Sequence, residues 1–458
     1  MKKLARTISG VTPVAVMTAP QGCPGNCVYC PNYEVTPRSY TPTSPAVLRA
    51  RRCDFDAATQ VQTRLDMLAR MGHPTDKVEL IIMGGTFLAS PEEYQYRFVK
   101  DCYDAMNGAV SDNLAGAVNR NETARFRCVG LCVETRPDYC GPEEVRRMLD
   151  FGATRIELGV QTLDDDIFRI VRRGHGIDAI VHATKLLKDY GFKVHYHWMP
   201  GLPGVNPERD LELFKMVFSD ARFRPDGMKL YPTMVVAGTE LEKWYRDGNY
   251  HPYGDNVMID LLAAMKAEVP PYVRLSRVLR DIPPQYIVGG IRNSVRDVVK
   301  KRMREAGKDC CCIRCREHGH RQRDGWEIGE PSLKRLDYRA QGGDEVFLSF
   351  EDNHETLFGL LRLRVQNYPI GGADKTGETP AAIVRELHVY GAEVPLDNQE
   401  ESAAQHKGLG RKLLAEAERI AADEFGARQI AVLSGVGARE YYRNLRYALH
   451  NGYMVKDL

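Results

Sequence analysis

The sequence predicts an α/β chain: a TIM-like βα barrel, complete or partial, followed by a smaller α+β domain. Short β-branched runs alternate with longer amphipathic stretches from residue 13 to about residue 281. Past residue 335 or so the rhythm changes to strands first and a helix late, and that helix opens on closely spaced glycines. At 458 residues, and with roughly 100 to 200 per domain, the chain has room for two to four domains. A hydrophobic share of 43% and a charged share of 27% exclude a mostly disordered or collagen-like polymer. No apolar run approaches the roughly 18 residues of a membrane span, and Gly10 and Pro13 interrupt the amino-terminal stretch. A soluble, cytoplasmic protein with no membrane partner is expected.

The candidate strands of the first region are residues 14–17, 78–83, 128–134, 155–160, 193–198, 227–231 and 273–278. Helical patterns at 57–70, 92–106 and 178–190 are long enough for crossover connections. A parallel barrel gathers its chemistry on the loops at the carboxyl ends of its strands; a doubly wound sheet is the alternative. Strands at 346–350, 358–365, 383–390 and 430–433 with a helix at 408–425 make up the last region. The expected division is a barrel at 1–282, a basic, cysteine-bearing connector at 283–335 and an α+β domain at 336–458.

Twelve cysteines would allow six disulfides, but two clusters place sulfurs only a few residues apart, as metal sites do. The scattered Cys53, Cys102, Cys128, Cys132 and Cys140 read as small core hydrophobes. Cys23, Cys27 and Cys30 have the spacing C-x3-C-x2-C in the loop after the first strand. A tetrahedral zinc would want a fourth ligand nearby, and the first histidine is His73. A 4Fe-4S cluster held by three thiolates keeps one iron open for chemistry. With Tyr29 before the last cysteine, this loop resembles that of the radical S-adenosylmethionine enzymes. Met83-Gly84-Gly85-Thr86-Phe87 resembles that family's glycine turn, which lets backbone approach the methionyl amino group. The segments ending in Gln161, at Arg173-Gly174-His175 and from Met199 to Gly204 resemble later strand ends of the same barrel. A 4Fe-4S cluster on the three cysteines and S-adenosylmethionine near Gly84, Gly85, Thr86 and Gln161 are what the resemblance implies; Gln161 and His197 can also be read as satisfied polar core residues.

The second cluster, Cys310, Cys312 and Cys315 with His318 and His320 following, can close a tetrahedron around a structural zinc. A reduced unmetallated cluster and a second iron-sulfur centre are the alternatives, and spacing does not choose between the histidines; family resemblance favours His320. The segment 292–323 holds eleven Lys or Arg against four Asp or Glu, a charge of +7 in a chain whose total is +2. Lys300, Lys301, Arg302, Arg304, Arg314 and Arg316 are therefore candidate phosphate contacts for a nucleic acid; a solvated basic helix face is the alternative.

In the last region, Gln405 with Gly408 and Gly410 gives Q-x-x-G-x-G at a helix start, where free amides and the helix dipole favour a diphosphate. The order strand, glycine loop, helix, strand, Tyr441-Tyr442 resembles a GNAT acetyltransferase. That likeness implies acetyl-CoA along Glu386, Leu387, His388 and Val389 and at Gln405, Gly408, Leu409, Gly410 and Arg411, with Tyr442, flanked by Tyr441, near the thioester. Glu386 and His388 are the candidate bases, although Glu386 also suits a solvent-facing strand position. Arg446 stands where most members carry glycine.

A radical S-adenosylmethionine barrel joined to a GNAT domain resembles the family of Elongator catalytic subunits over almost the whole chain. Cys132 to Cys140, Arg222 to Pro232 and Val384 to Gly391 carry the likeness. It implies a tRNA-modifying acyltransferase that forms 5-carboxymethyluridine at the wobble position. A 5'-deoxyadenosyl radical would take a hydrogen from the acetyl methyl, the carbon radical would add to carbon 5 of uridine, and thioester hydrolysis would release CoA. It also implies Lys77 as an acetyl-CoA contact, an anticodon stem-loop as substrate, and either a homo-oligomer or Elongator-like partners. The competing expectation is a protein lysine acetyltransferase whose barrel is only a scaffold.

Overall fold

The computed structural model describes residues 10–292, 295–370, 381–390 and 408–458. Seven strands form an all-parallel sheet: β1 (Val11–Met17), β2 (Lys77–Met83), β3 (Arg127–Thr135), β4 (Arg155–Gln161), β5 (Lys193–Trp198), β6 (Gly227–Leu230) and, after the short β7 (Val235–Val236), β8 (Arg274–Arg277). They run in sequence order and β1 does not pair with β8, so the barrel is partial. β7 pairs with β9 (Ile287–Gly289) as a separate ribbon.

Alternation sorts the side chains. In β2, Val78, Leu80 and Ile82 are fully buried, whereas Glu79, Ile81 and Met83 turn into the lumen. The crossover helix Ala57–Arg70 sets Val61, Leu65 and Leu68 against that apolar side, and its first turn is capped by Asp56, which accepts from the Thr59 amide at 2.8 Å.

The second sheet has the order β10-β11-β12-β13-β14-β16-β15. Its strands are β10 (Ser332–Ala340), β11 (Gly343–Glu351), β12 (Leu357–Gln366), β13 (Ala381–Val389), β14 (Gln429–Val432), β15 (Ala448–His450) and β16 (Tyr453–Asp457). The helix Leu409–Arg419 packs on it through Leu413, Leu414 and Ala417 and runs into a π-helical turn, Ile420–Glu424. β13 and β14 are parallel and pair only over Ala382–Val384 and Ile430–Val432. Two expectations need adjusting. β10 begins at Ser332, so this sheet starts inside the stretch read as connector, and β15 and β16 were not foreseen. β10 is an edge strand whose side chains are mostly exposed, and it therefore lacks an apolar signature.

A buried ionic network joins the two sheets. The β12–β13 register slips between Arg362 and Leu363, which leaves Arg385 as a bulged residue turned toward the barrel. Its guanidinium donates to both carboxylate oxygens of Asp226, each at 2.7 Å, and to Glu345 at 2.6 Å. Arg364 reaches Glu345 at 3.0 Å and Asp189 at 2.6 Å, and Lys188 lies 3.4 Å from Asp226. Burial alone would raise the Asp226 carboxyl, but Arg385 and Lys188 hold it well below the usual carboxylate range. Removing one partner strands the others' charge, so Asp226→Ala is expected to cost about 3–5 kcal/mol in a denaturant titration. With its folded pKa depressed, Asp226 stabilises the fold fully above its unfolded pKa of about 3.9, and that contribution is lost only as pH falls below it. The acid limb of a pH–stability curve should accordingly shrink in the variant.

Candidate active site

The loop after β1 carries the first cysteine cluster to the carboxyl end of the barrel. Cys27 is buried and Cys23 and Cys30 are half-buried. The Cys23 sulfur lies 3.5 Å from the Thr86 hydroxyl, the Gly25 amide donates to it at 3.4 Å, and Arg173 donates to the Cys27 sulfur at 3.6 Å. Burial and the neighbouring Cys27 push the Cys30 thiol up. Among the described residues, the trios whose donor atoms all lie within 4.8 Å of one another are Cys310, Cys312, Cys315 and Glu134, Glu157, His197. The first cluster is not one of them. Around it the Nη1 of Arg136, the Nε of Arg173 and the Oε1 of Gln161 are buried without a partner, while Arg136 itself is locked by a two-pronged bond to Asp138. Such groups suit a polar ligand in the loop's mouth.

The glycine turn explains itself sterically. At Gly84 φ is +144°, and an added Cβ would fall 1.9 Å from the Thr18 hydroxyl; Gly85 has φ +83°. Gln161 ends β4 in the left-handed region, with φ 71°.

One cavity of about 810 Å³ fills the barrel lumen. Its wall includes Cys23, Cys27, Cys30, Thr86 and Gln161 at one end, Lys193, Glu79 and Arg274 along the strands, and Arg362, Glu386, His388 and Tyr390 of the second sheet at the other. Twelve Lys or Arg and six Asp or Glu line it, an excess of positive charge that favours polyanions. Midway, Glu157 accepts from His197 at 3.0 Å and contacts Lys229, which also bonds Glu134 at 3.0 Å. His197, read as a possible core residue, therefore belongs to the cavity wall. This ionic group was not foreseen; charged residues inside apolar strand runs were its signal.

The structure divides the expected acetyl-CoA residues between the two faces of β13. Glu386 and His388 face the lumen, whereas Leu387 and Val389 pack on the core of the second sheet. Glu386 bonds Arg362 at 2.8 Å and sits 3.5 Å from Lys193; burial opposes ionisation, but these two cations hold its carboxyl well below the usual range. So low a proton affinity makes it a poor base. His388 is kept neutral by burial, and its Nε2 has no partner. On the other face Gly408 starts the helix with φ +68°, and Gly410 lies beside Val389 and under the Tyr441 hydroxyl, 3.1 Å from where a Cβ would stand. Leu409 and Tyr442 are buried in the core, and Arg411 is exposed. Arg446 has φ 70°, a conformation that glycine would hold without strain. Lys77 starts β2 beside Arg127, against which Gly437 packs. Gln405 lies outside the described residues.

In the connector, the thiols of Cys310, Cys312 and Cys315 converge, but neither histidine joins them. His320 sits 3.3 Å from Glu317 and lines the cavity; His318 packs on Phe358. Within the trio the Cys315 sulfur accepts from Cys310 and Cys312, which pushes its thiol down while those of Cys310 and Cys312 are pushed up. Arg316 is not available to RNA: it is buried, donating to Cys311 and Pro271 carbonyls and pairing with Glu351 at 2.7 Å. Arg314 lines the cavity, and burial beside Arg296 and Arg274 lowers it to about 10. Lys300 pairs with Asp324 and Arg302 with Asp260, while Lys301 and Arg304 are exposed.

A three-cysteine loop over a partial parallel barrel, with a glycine turn after β2, defines a radical S-adenosylmethionine enzyme. The Radical SAM superfamily model matches residues 17–217, and the Radical_SAM C-terminal domain model matches 225–305. The chain belongs to the family of the tRNA uridine(34) acetyltransferases and Elongator complex protein 3. It is 61% identical to the tRNA uridine(34) acetyltransferase of Dehalococcoides mccartyi, with all of both chains covered. It is 43% identical to human Elongator complex protein 3, covering all of this chain and 86% of that one. The solved structure of Methanocaldococcus infernus Elp3 lacking residues 1–46 matches 99% of this chain and 100% of its own, with 44% identity and a TM-score of 0.87. Because Gly84 has no room for a side chain, Gly84→Ala should lower S-adenosylmethionine affinity by about tenfold or more in equilibrium dialysis while the circular dichroism spectrum is retained.

Proposed function

We propose that this chain forms 5-carboxymethyluridine at the wobble position of tRNA from acetyl-CoA and S-adenosylmethionine. The supporting observation is the single cavity whose wall includes both the cysteine loop and β13. A barrel serving only as scaffold for lysine acetylation would need no polar lumen between those two places. The relatives' names, tRNA uridine(34) acetyltransferase, point the same way.

In this reading Cys23, Cys27 and Cys30 hold a 4Fe-4S cluster, which supplies one-electron chemistry when bound. Gly84, Gly85, Thr86 and Gln161 seat S-adenosylmethionine: the turn offers backbone, and the unpartnered Gln161 oxygen accepts from the methionyl ammonium. Acetyl-CoA lies along β13 and the Gly408–Arg411 helix start, with Lys77 on its charged end and Tyr441 and Tyr442 beside the thioester. His388, kept neutral by burial and with its Nε2 unpartnered, is the candidate base on the lumen face of β13, while Glu386 orients Arg362 and Lys193. The lumen excludes bulk water from the radical and draws the flipped uridine and its phosphates in by its excess positive charge. Zinc on Cys310, Cys312 and Cys315 stiffens the connector, and Lys301 and Arg304 meet the anticodon stem. The domain division at 1–282, 283–335 and 336–458 follows these roles, with β10 extending the last unit. No helix among the described residues is long and apolar enough to cross a membrane; we place the chain in the cytoplasm with its tRNA, and extend to it the expectation of Elongator-like partners or a second copy.

Anaerobically reconstituted protein given tRNA, S-adenosylmethionine and acetyl-CoA should yield carboxymethyluridine by nucleoside mass spectrometry. Product from Cys27→Ala would overturn the cluster's role. Replacing Lys301 and Arg304 by Ala should weaken tRNA binding and reduce its log–log salt slope by about 1 to 2. Cys312→Ser should release zinc, read by atomic absorption.

A further inference from the structure

The tyrosine-bearing helix Arg439–Arg443 is held from outside its own domain. Glu122, which follows the barrel helix Leu114–Asn121, accepts from Arg439 at 2.8 Å and lies 2.6 Å from Arg443, so its two oxygens bracket that helix at both ends. Glu122 is only 4% exposed, and although burial opposes its charge, the two arginines keep its carboxyl below the ordinary value. The segment before the helix is fixed to the same side of the barrel. A Cβ on Gly435 would fall 2.1 Å from the Val129 carbonyl of β3, and one on Gly437 would fall 2.4 Å from the Arg127 side chain. Val436 is fully buried and sits 2.7 Å from where Gly152 would carry a Cβ. Tyr441 and Tyr442 lie on the clamped helix, and Tyr441 hangs over Gly410 at the glycine helix start.

We propose that Glu122 of the barrel is a positioning residue for the acetyl-CoA pocket, fixing the Tyr441–Tyr442 helix relative to the glycine helix start. This rests on the reading that acetyl-CoA binds along β13 and Gly408–Arg411. Geometry supports it from both ends. The carboxylate touches neither pocket, yet it is the shared acceptor for the arginines that flank the two tyrosines. Shifting a helix of five residues by a fraction of its length would move the Tyr441 hydroxyl off Gly410.

The test is acetyl-CoA binding by calorimetry on the full chain, with S-adenosylmethionine cleavage and thermal unfolding measured alongside. Glu122→Gln keeps the volume and removes the charge; the acetyl-CoA dissociation constant should rise about tenfold, with cleavage unchanged, and Glu122→Asp should recover part of the loss. Should Glu122→Gln not fold, Arg443→Gln, which leaves the Arg439 bond in place, should show the same selective weakening to a smaller degree. An unchanged dissociation constant in a folded variant overturns the proposal. So does a fall in binding, cleavage and melting temperature together, since that marks a merely structural contact. If Tyr441→Ala and Gly410→Val also leave binding unchanged, it is the placement of acetyl-CoA that has failed, not the clamp alone.

Discussion

The bulged Arg385, with Asp226 and Glu345, is the contact on which the rest of the molecule depends. Buried ion pairs generally add little net stability, because desolvation consumes most of the Coulomb gain. What they supply is direction: a bidentate guanidinium–carboxylate pair tolerates little displacement, so the second sheet can approach the barrel in only one way. The same bulge that turns Arg385 downward sets Glu386 next to it on the lumen side, where it meets Lys193 and Arg362. The floor of the cavity and this part of the domain attachment are thus consequences of one extra residue in one strand.

The lumen differs from the apolar packing that usually fills a closed parallel barrel. Glu79, Arg155, Glu157, Lys193, Lys229 and Arg274 line the inner wall, and all six are paired. Pairing fixes these six side chains in place, while the cations that outnumber the anions around the cavity leave its wall positive.

Much of this was legible in the sequence. Period-two alternation located β2 and β5 to within a residue, and helical periodicity gave Ala57–Arg70 with both ends. The cysteine spacing and the glycine turn point to the chemistry because each needs particular residues at a particular separation. Other features were hidden for physical reasons. β10 is exposed along most of its length, so no hydrophobic pattern marks it. Arg316 lies in a basic run and was read as a surface cation, although burial among carbonyls is what its position demands; charge counting along a chain cannot see which cations turn inward. That the neighbours Arg385 and Glu386 both turn toward the barrel depends on a register slip that no local pattern reports. Asp226, Arg362, Arg364 and Arg385 did leave a trace, as charges embedded in runs otherwise fit for a core.

β14 pairs with β13 for three residues and then leaves, carrying Gly435 and Gly437 beneath β3. Its departure leaves the outer half of β13 without a paired strand on that side among the described residues. An extended arm with amides of its own, as the pantetheine of the acetyl-CoA proposed above has, carries the groups to pair there. The backbone excursion that bolts one domain beneath the other is therefore also what opens the seam, and evolution cannot loosen the bolt without reshaping the slot.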